Sequence, residues 1–141
     1  MNFSVIIPLA VVVFANVLYH IASKGIPGEQ NAFMGLIVNY GVAFILSVAM
    51  FFVMPHNSPV TELLKTNWAA VAMGLSVVGL EAGFIFAYRN GGEISVVALI
   101  ANILFSLMLL PIGVMFYGEA MTATKIIGAI LCIVGIIFIS V

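Results

Sequence analysis

The chain has 141 residues, of which 65% are apolar and 6% are Asp, Glu, Lys or Arg, with a formal net charge of −1. Ordinary soluble domains run at about 45–50% and about 25%, so a water-soluble body with this composition would present large apolar patches to solvent. Four Lys and Arg in total leave no basic surface for nucleic acid, and one cysteine with two histidines forms neither a disulfide framework nor a zinc pattern.

The expected solvent is the lipid bilayer, and the expected fold is all-α. A hydrocarbon core of about 30 Å takes about 20 apolar helical residues to cross, and five stretches of that length follow one another. They run over about 3–22, 32–54, 68–88, 94–117 and 124–141, a single five-span membrane domain over 1–141. The first stretch has no Lys or Arg before it and no small-residue cleavage site, so it reads as a retained helix and not a signal peptide. Between the second and third spans, Ser58, Pro59, Glu62 and Lys65 predict a capped turn of interfacial helix. Trp68 follows at headgroup level.

Positive charge does not select an orientation. Five spans put Lys65 and Lys125 on the N-terminal side and Lys24 and Arg89 on the other, two against two, whereas a fixed topology normally shows a cytoplasmic excess. Two readings stay open: too few charges to count, or copies that insert both ways and pair antiparallel, building from two chains the inverted repeat that larger transporters carry in one. Ten helices enclose a solute path more readily than five. Gly128, Cys132 and Gly135 put three small side chains on one face of the last span, for packing within the subunit or against a second one.

Tyr88-Arg89-Asn90-Gly91-Gly92-Glu93-Ile94-Ser95, then Phe116-Tyr117-Gly118-Glu119, then the run from Lys125 through Gly128-Ala129 to Gly135 resemble the closing half of an EamA-type unit of the drug/metabolite transporter superfamily. Most members resemble two fused units of five spans, whereas this chain is one. The resemblance implies exchange of small organic solutes by a pair of units, either a homodimer or two different half-size subunits. The chain departs from the pattern at the proline common in the first half of the fourth helix, in place of which Pro111 stands further along. The location expected is the cytoplasmic membrane of a bacterium or archaeon.

Apart from the resemblance, the most informative residue is Glu81, seven positions before Tyr88 and so about 10 Å from that end of its helix. An ionised carboxylate at the centre of a membrane helix costs about 2.5–3.5 kcal/mol on insertion scales, so Glu81 should face the bundle interior and be neutral, paired or wet. A carboxylate that holds a proton in one state and a cation in another couples two flows; one that stays protonated merely joins two helices. Asn16, Tyr19 and His20 share a face of the first span, where they line a solute path or meet the headgroups.

Ser95, Asn102 and Ser106 form a stripe on the fourth span, and Asn39 and Tyr40 lie near the middle of the second. Each is a candidate solute contact, with ordinary interhelical hydrogen bonding as the alternative. Gly74, Gly79 and Gly83 around Glu81 suggest close helix approach or bending. The expected function is a secondary transporter of cationic or zwitterionic solutes, proton-coupled through Glu81, with no cofactor. Its alternative is a non-transporting membrane subunit or assembly factor. Enzyme chemistry would need several convergent groups at one depth, and only Glu81 and His20 come near.

Overall fold

The computed structural model describes residues 3–140. Six helices follow in chain order: α1 (Phe3–Gly25), α2 (Ala32–Val53), α3 (Pro59–Leu64), α4 (Trp68–Arg89), α5 (Ile94–Tyr117) and α6 (Ala123–Ser140). There is no strand among the described residues. Four of the helices, α1, α2, α4 and α5, are long and apolar enough to cross a membrane, whereas the apolar part of α6, Ala123–Ile139, is shorter. Val141, the expected end of the last span, lies outside the described residues.

Local sequence chemistry sets the helix boundaries. Asn31 accepts from the Phe33 amide at 2.9 Å and Asn67 from the Ala69 amide at 3.0 Å, each satisfying a donor that the first helical turn leaves open. Ser58 caps α3 through the Thr61 amide, with Pro59 opening the helix, where its missing N–H costs nothing. The helix also carries the expected Glu62–Lys65 ion pair at 2.8 Å. Hydrogen bonds from Lys65 and Asn57 hold the Glu62 carboxyl below the ordinary carboxylate range. His56 is exposed in the link, and its ring stacks on Phe51 with centroids 4.5 Å apart. Its Nδ1 donates to the Asn57 carbonyl at 2.7 Å.

The chain forms two compact units, one up to Asn90 and one from Gly91. In the first, α4 packs on both α1 and α2. Its small core is Ala32, Leu36 and Ile85, flanked by Ile26, Tyr40 and Ala82. One end is tied by Arg89, whose Nη2 donates to the carbonyls of Pro27 at 2.9 Å and Gln30 at 2.7 Å. The last turn of α4 therefore grips the link between α1 and α2. Large apolar side chains such as Phe14, Phe44 and Leu75 point outward, as lipid-facing positions should.

In the second unit α5 packs on α6. Helix α5 ends at Gly118, in the left-handed conformation at φ 65°, which a residue with a Cβ adopts only at a cost. Its reversal folds the Glu119 carboxyl back over Gly113, so close that a Cβ there would lie 3.0 Å from the carboxyl carbon. Glu119 also pairs with Lys125 at 3.2 Å.

Close helix approach, one of the two readings of the α4 glycines, is not seen: a Cβ on Gly74, Gly79 or Gly83 would meet nothing within 4 Å. Gly118→Ala should therefore lower stability by about 1–2 kcal/mol, whereas Gly74→Ala, which gains helix propensity, should be neutral or stabilising. Thermal unfolding of the two variants in one detergent checks the contrast.

Candidate functional site

Glu81 is eight residues before the end of α4, Asn39 seven after the start of α2, and Tyr19 six before the end of α1. At 1.5 Å per residue these are about 12, 10 and 9 Å from one end of the first unit, the end tied by Arg89. Three helices thus bring polar side chains to one depth. The amide of Asn39 donates to Glu81 Oε2 at 2.7 Å, a bond between residues 42 apart in sequence that joins α2 to α4. Glu81 itself is half-buried.

Tyr40, beside Asn39 on α2, and Tyr19 on α1 both lie within electrostatic reach of the Glu81 carboxyl. Their hydroxyl oxygens are buried, that of Tyr40 beside the Glu81 carboxyl and that of Tyr19 beside the Ser23 hydroxyl. Ser23, one turn after Tyr19, has a buried hydroxyl as well.

Nearer the end of the unit the cluster becomes aromatic. His20 is 6% exposed, and its Nδ1 is 2.8 Å from the Tyr88 hydroxyl. The Phe84 ring meets His20 edge-on at 4.6 Å and Tyr19 at 6.0 Å. Tyr19 and His20 are therefore turned to α4 and packed there. The sequence leaves this contact unseen, because Phe84 and Tyr88 are ordinary apolar choices for a membrane helix and only their spacing of four residues puts them on one face. Ser23 carries no motif; its one signal is an apolar span with a polar group near its end.

The other candidates divide between the two units. Asn16 is half-buried on α1. On α5, Asn102 donates to the Ala98 carbonyl at 2.8 Å and Ser106 to the Asn102 carbonyl at 2.6 Å, both bonds running back into their own helix. Such back-bonding satisfies the side chain locally and often bends a helix. Ser95 is exposed at the start of α5. Gly128 and Cys132 are exposed on α6 and Gly135 is half-buried, and a Cβ on Gly128 or Gly135 would meet nothing within 4 Å.

No group of three or more His, Cys, Asp or Glu able to hold a metal occurs among the described residues. An open hollow of about 570 Å³ at the far end of α2, lined by Met50, Phe51, Met54, His56 and Glu62, contains none of the candidate residues. The polar cluster of α1, α2 and α4 is thus the place where chemistry-bearing groups converge.

Tyr88→Phe removes the partner of a buried histidine and should cost about 1–3 kcal/mol while leaving the Asn39–Glu81 bond intact. A lowered unfolding temperature with unchanged helix content by circular dichroism is the expected result. Comparison of the chain with known protein families, characterised proteins and solved structures gives no match.

Proposed function

We propose that this multi-pass membrane protein is a secondary transporter of small organic cations or zwitterions, coupled to protons through Glu81. The observation that carries the reading is the carboxyl itself. It lies about 12 Å inside an apolar helix, holds a hydrogen bond from Asn39 at 2.7 Å, and has two buried tyrosine hydroxyls nearby. Intramembrane acids in helical bundles ordinarily mark ion or substrate paths. With no basic residue deep in a span, a positively charged guest suits this carboxyl and a multiply anionic one does not.

In this proposal α6 acts as the fifth span, and two chains supply the ten helices that enclose the path. The even split of Lys24 and Arg89 against Lys65 and Lys125 favours an antiparallel homodimer, and the small-residue face of Gly128, Cys132 and Gly135 is where a second subunit packs. A paired half-size subunit would meet the same need. The likeness of the second half of the chain to an EamA-type unit supports the same assignment, in a bacterial or archaeal cytoplasmic membrane.

The Asn39–Glu81 bond also favours a second reading, in which it only staples α2 to α4 in a non-transporting subunit. Solute-induced proton flux in proteoliposomes separates the two. With a panel of small organic cations and zwitterions, transport predicts flux in the wild type that is lost in Glu81→Gln with the fold retained. If the panel drives no flux, and Glu81→Gln does no more than lower the unfolding temperature, the staple is the better account.

A further inference from the structure

We infer that the hollow between the end of α2 and α3 holds the headgroup of a phosphatidylethanolamine molecule, and that it prefers this lipid to phosphatidylcholine, which carries the same charges. The hollow is at the end of the first unit away from Arg89, and the inference does not depend on transport through Glu81.

The hollow measures about 570 Å³, within the range of about 300–1,000 Å³ usual for ligand sites, and it opens where the apolar span α2 ends. Met50, Phe51 and Met54 line it from α2, and His56, Asn57 and Glu62 line it from the link and α3. Trp68, 79% exposed, begins the next span a few residues later, at the level where tryptophan meets lipid headgroups. An apolar wall from a membrane helix beside a polar wall from an interfacial link matches the division in a phospholipid between the carbons at glycerol level and the headgroup.

The polar wall is rich in acceptors. Nδ1 of His56 donates to the Asn57 carbonyl at 2.7 Å, so the neutral ring carries its lone pair on Nε2. The Asn57 amide nitrogen is tied to Glu62 Oε1 at 2.7 Å, and Glu62 is a carboxylate that its bonds from Lys65 and Asn57 keep ionised. A carboxylate beside an imidazole lone pair suits a guest with positive charge and N–H donors, which is a primary ammonium. Lys65, 2.8 Å from Glu62 and 58% exposed, balances the carboxylate, so the guest that fits is neutral overall and brings an anion to Lys65. Phosphatidylethanolamine has both, an ammonium with three N–H groups and a phosphate two carbons away. Phosphatidylcholine matches it in charge and has no N–H to donate, and phosphatidylglycerol has no cation.

The test titrates the dioctanoyl forms of these three lipids into the full chain in a non-ionic detergent at pH 7 and reads the bound fraction by native mass spectrometry. Phosphatidylethanolamine should bind roughly tenfold more tightly than phosphatidylcholine, since hydrogen bonds between charged partners are the strong ones, and phosphatidylglycerol should bind no better than phosphatidylcholine. In Glu62→Gln the ratio should fall to about one. His56→Phe, which keeps a ring on Phe51 and removes Nε2, should lower it as well. Glu119→Gln, which removes an ion-paired acid that does not line the hollow, should leave it unchanged. Helix content and elution volume confirm that the variants fold; the wild-type ratio needs no variant. Equal affinities, a preference for either of the other lipids, no binding of any, or an ethanolamine preference that survives both Glu62→Gln and His56→Phe overturns the inference. Neither Glu81 nor a gradient enters the measurement, so the transport reading stands or fails separately.

Discussion

A carboxyl group in hydrocarbon has no water to fall back on, and the arrangement of the first unit follows from that. Glu81 needs partners at its own depth, and α2 supplies one at 2.7 Å through Asn39. The price of isolation at that depth is several kilocalories per mole, which makes the choice of neighbour on α2 a structural requirement and not a convenience. The same constraint acts on His20, whose ring is enclosed by α4 and meets the Tyr88 hydroxyl at 2.8 Å. Apolar contact contributes less than usual to helix selection here, because lipid tails are as apolar as the side chains they touch. The described core of the first unit is correspondingly small: Ala32, Leu36 and Ile85 with a few flanking residues. Polar pairs and close fit decide which helix faces meet.

Helix positions were legible because lipid imposes one period and one length. The ends expected at 22, 54, 88 and 117 compare with observed ends at Gly25, Val53, Arg89 and Tyr117. Capping chemistry at Ser58 and Pro59 marked even the six-residue α3. Partner choice was less legible. Asn39 and Glu81 are each visible as polar residues in apolar runs, and the equal distance of both from one end of the unit can be counted, but their bond requires a pairing of α2 with α4 that no local pattern encodes. The stripe of Ser95, Asn102 and Ser106 shows the opposite limit. Its spacing is regular, yet Asn102 and Ser106 turn back onto carbonyls of α5, and periodicity does not distinguish a side chain that reaches outward from one that bonds its own helix.

The glycines divide in the same way. Gly118 holds a left-handed backbone, and Gly113 lies under the Glu119 carboxyl; both follow from the Gly-Glu reversal after α5. Gly74, Gly79 and Gly83 have open space where a side chain would stand, and frequency of glycine alone reads the same in both cases.

Arg89 adds a mechanical consequence. It stands on the same rigid rod as Glu81, two turns away, and its guanidinium holds the carbonyls of Pro27 and Gln30. Any tilt or roll of that rod must either drag the loop between the first two spans along with it or break two charge-assisted hydrogen bonds. The acid and the rim of the bundle on that side are geared together, so a disturbance at one is felt as displacement at the other.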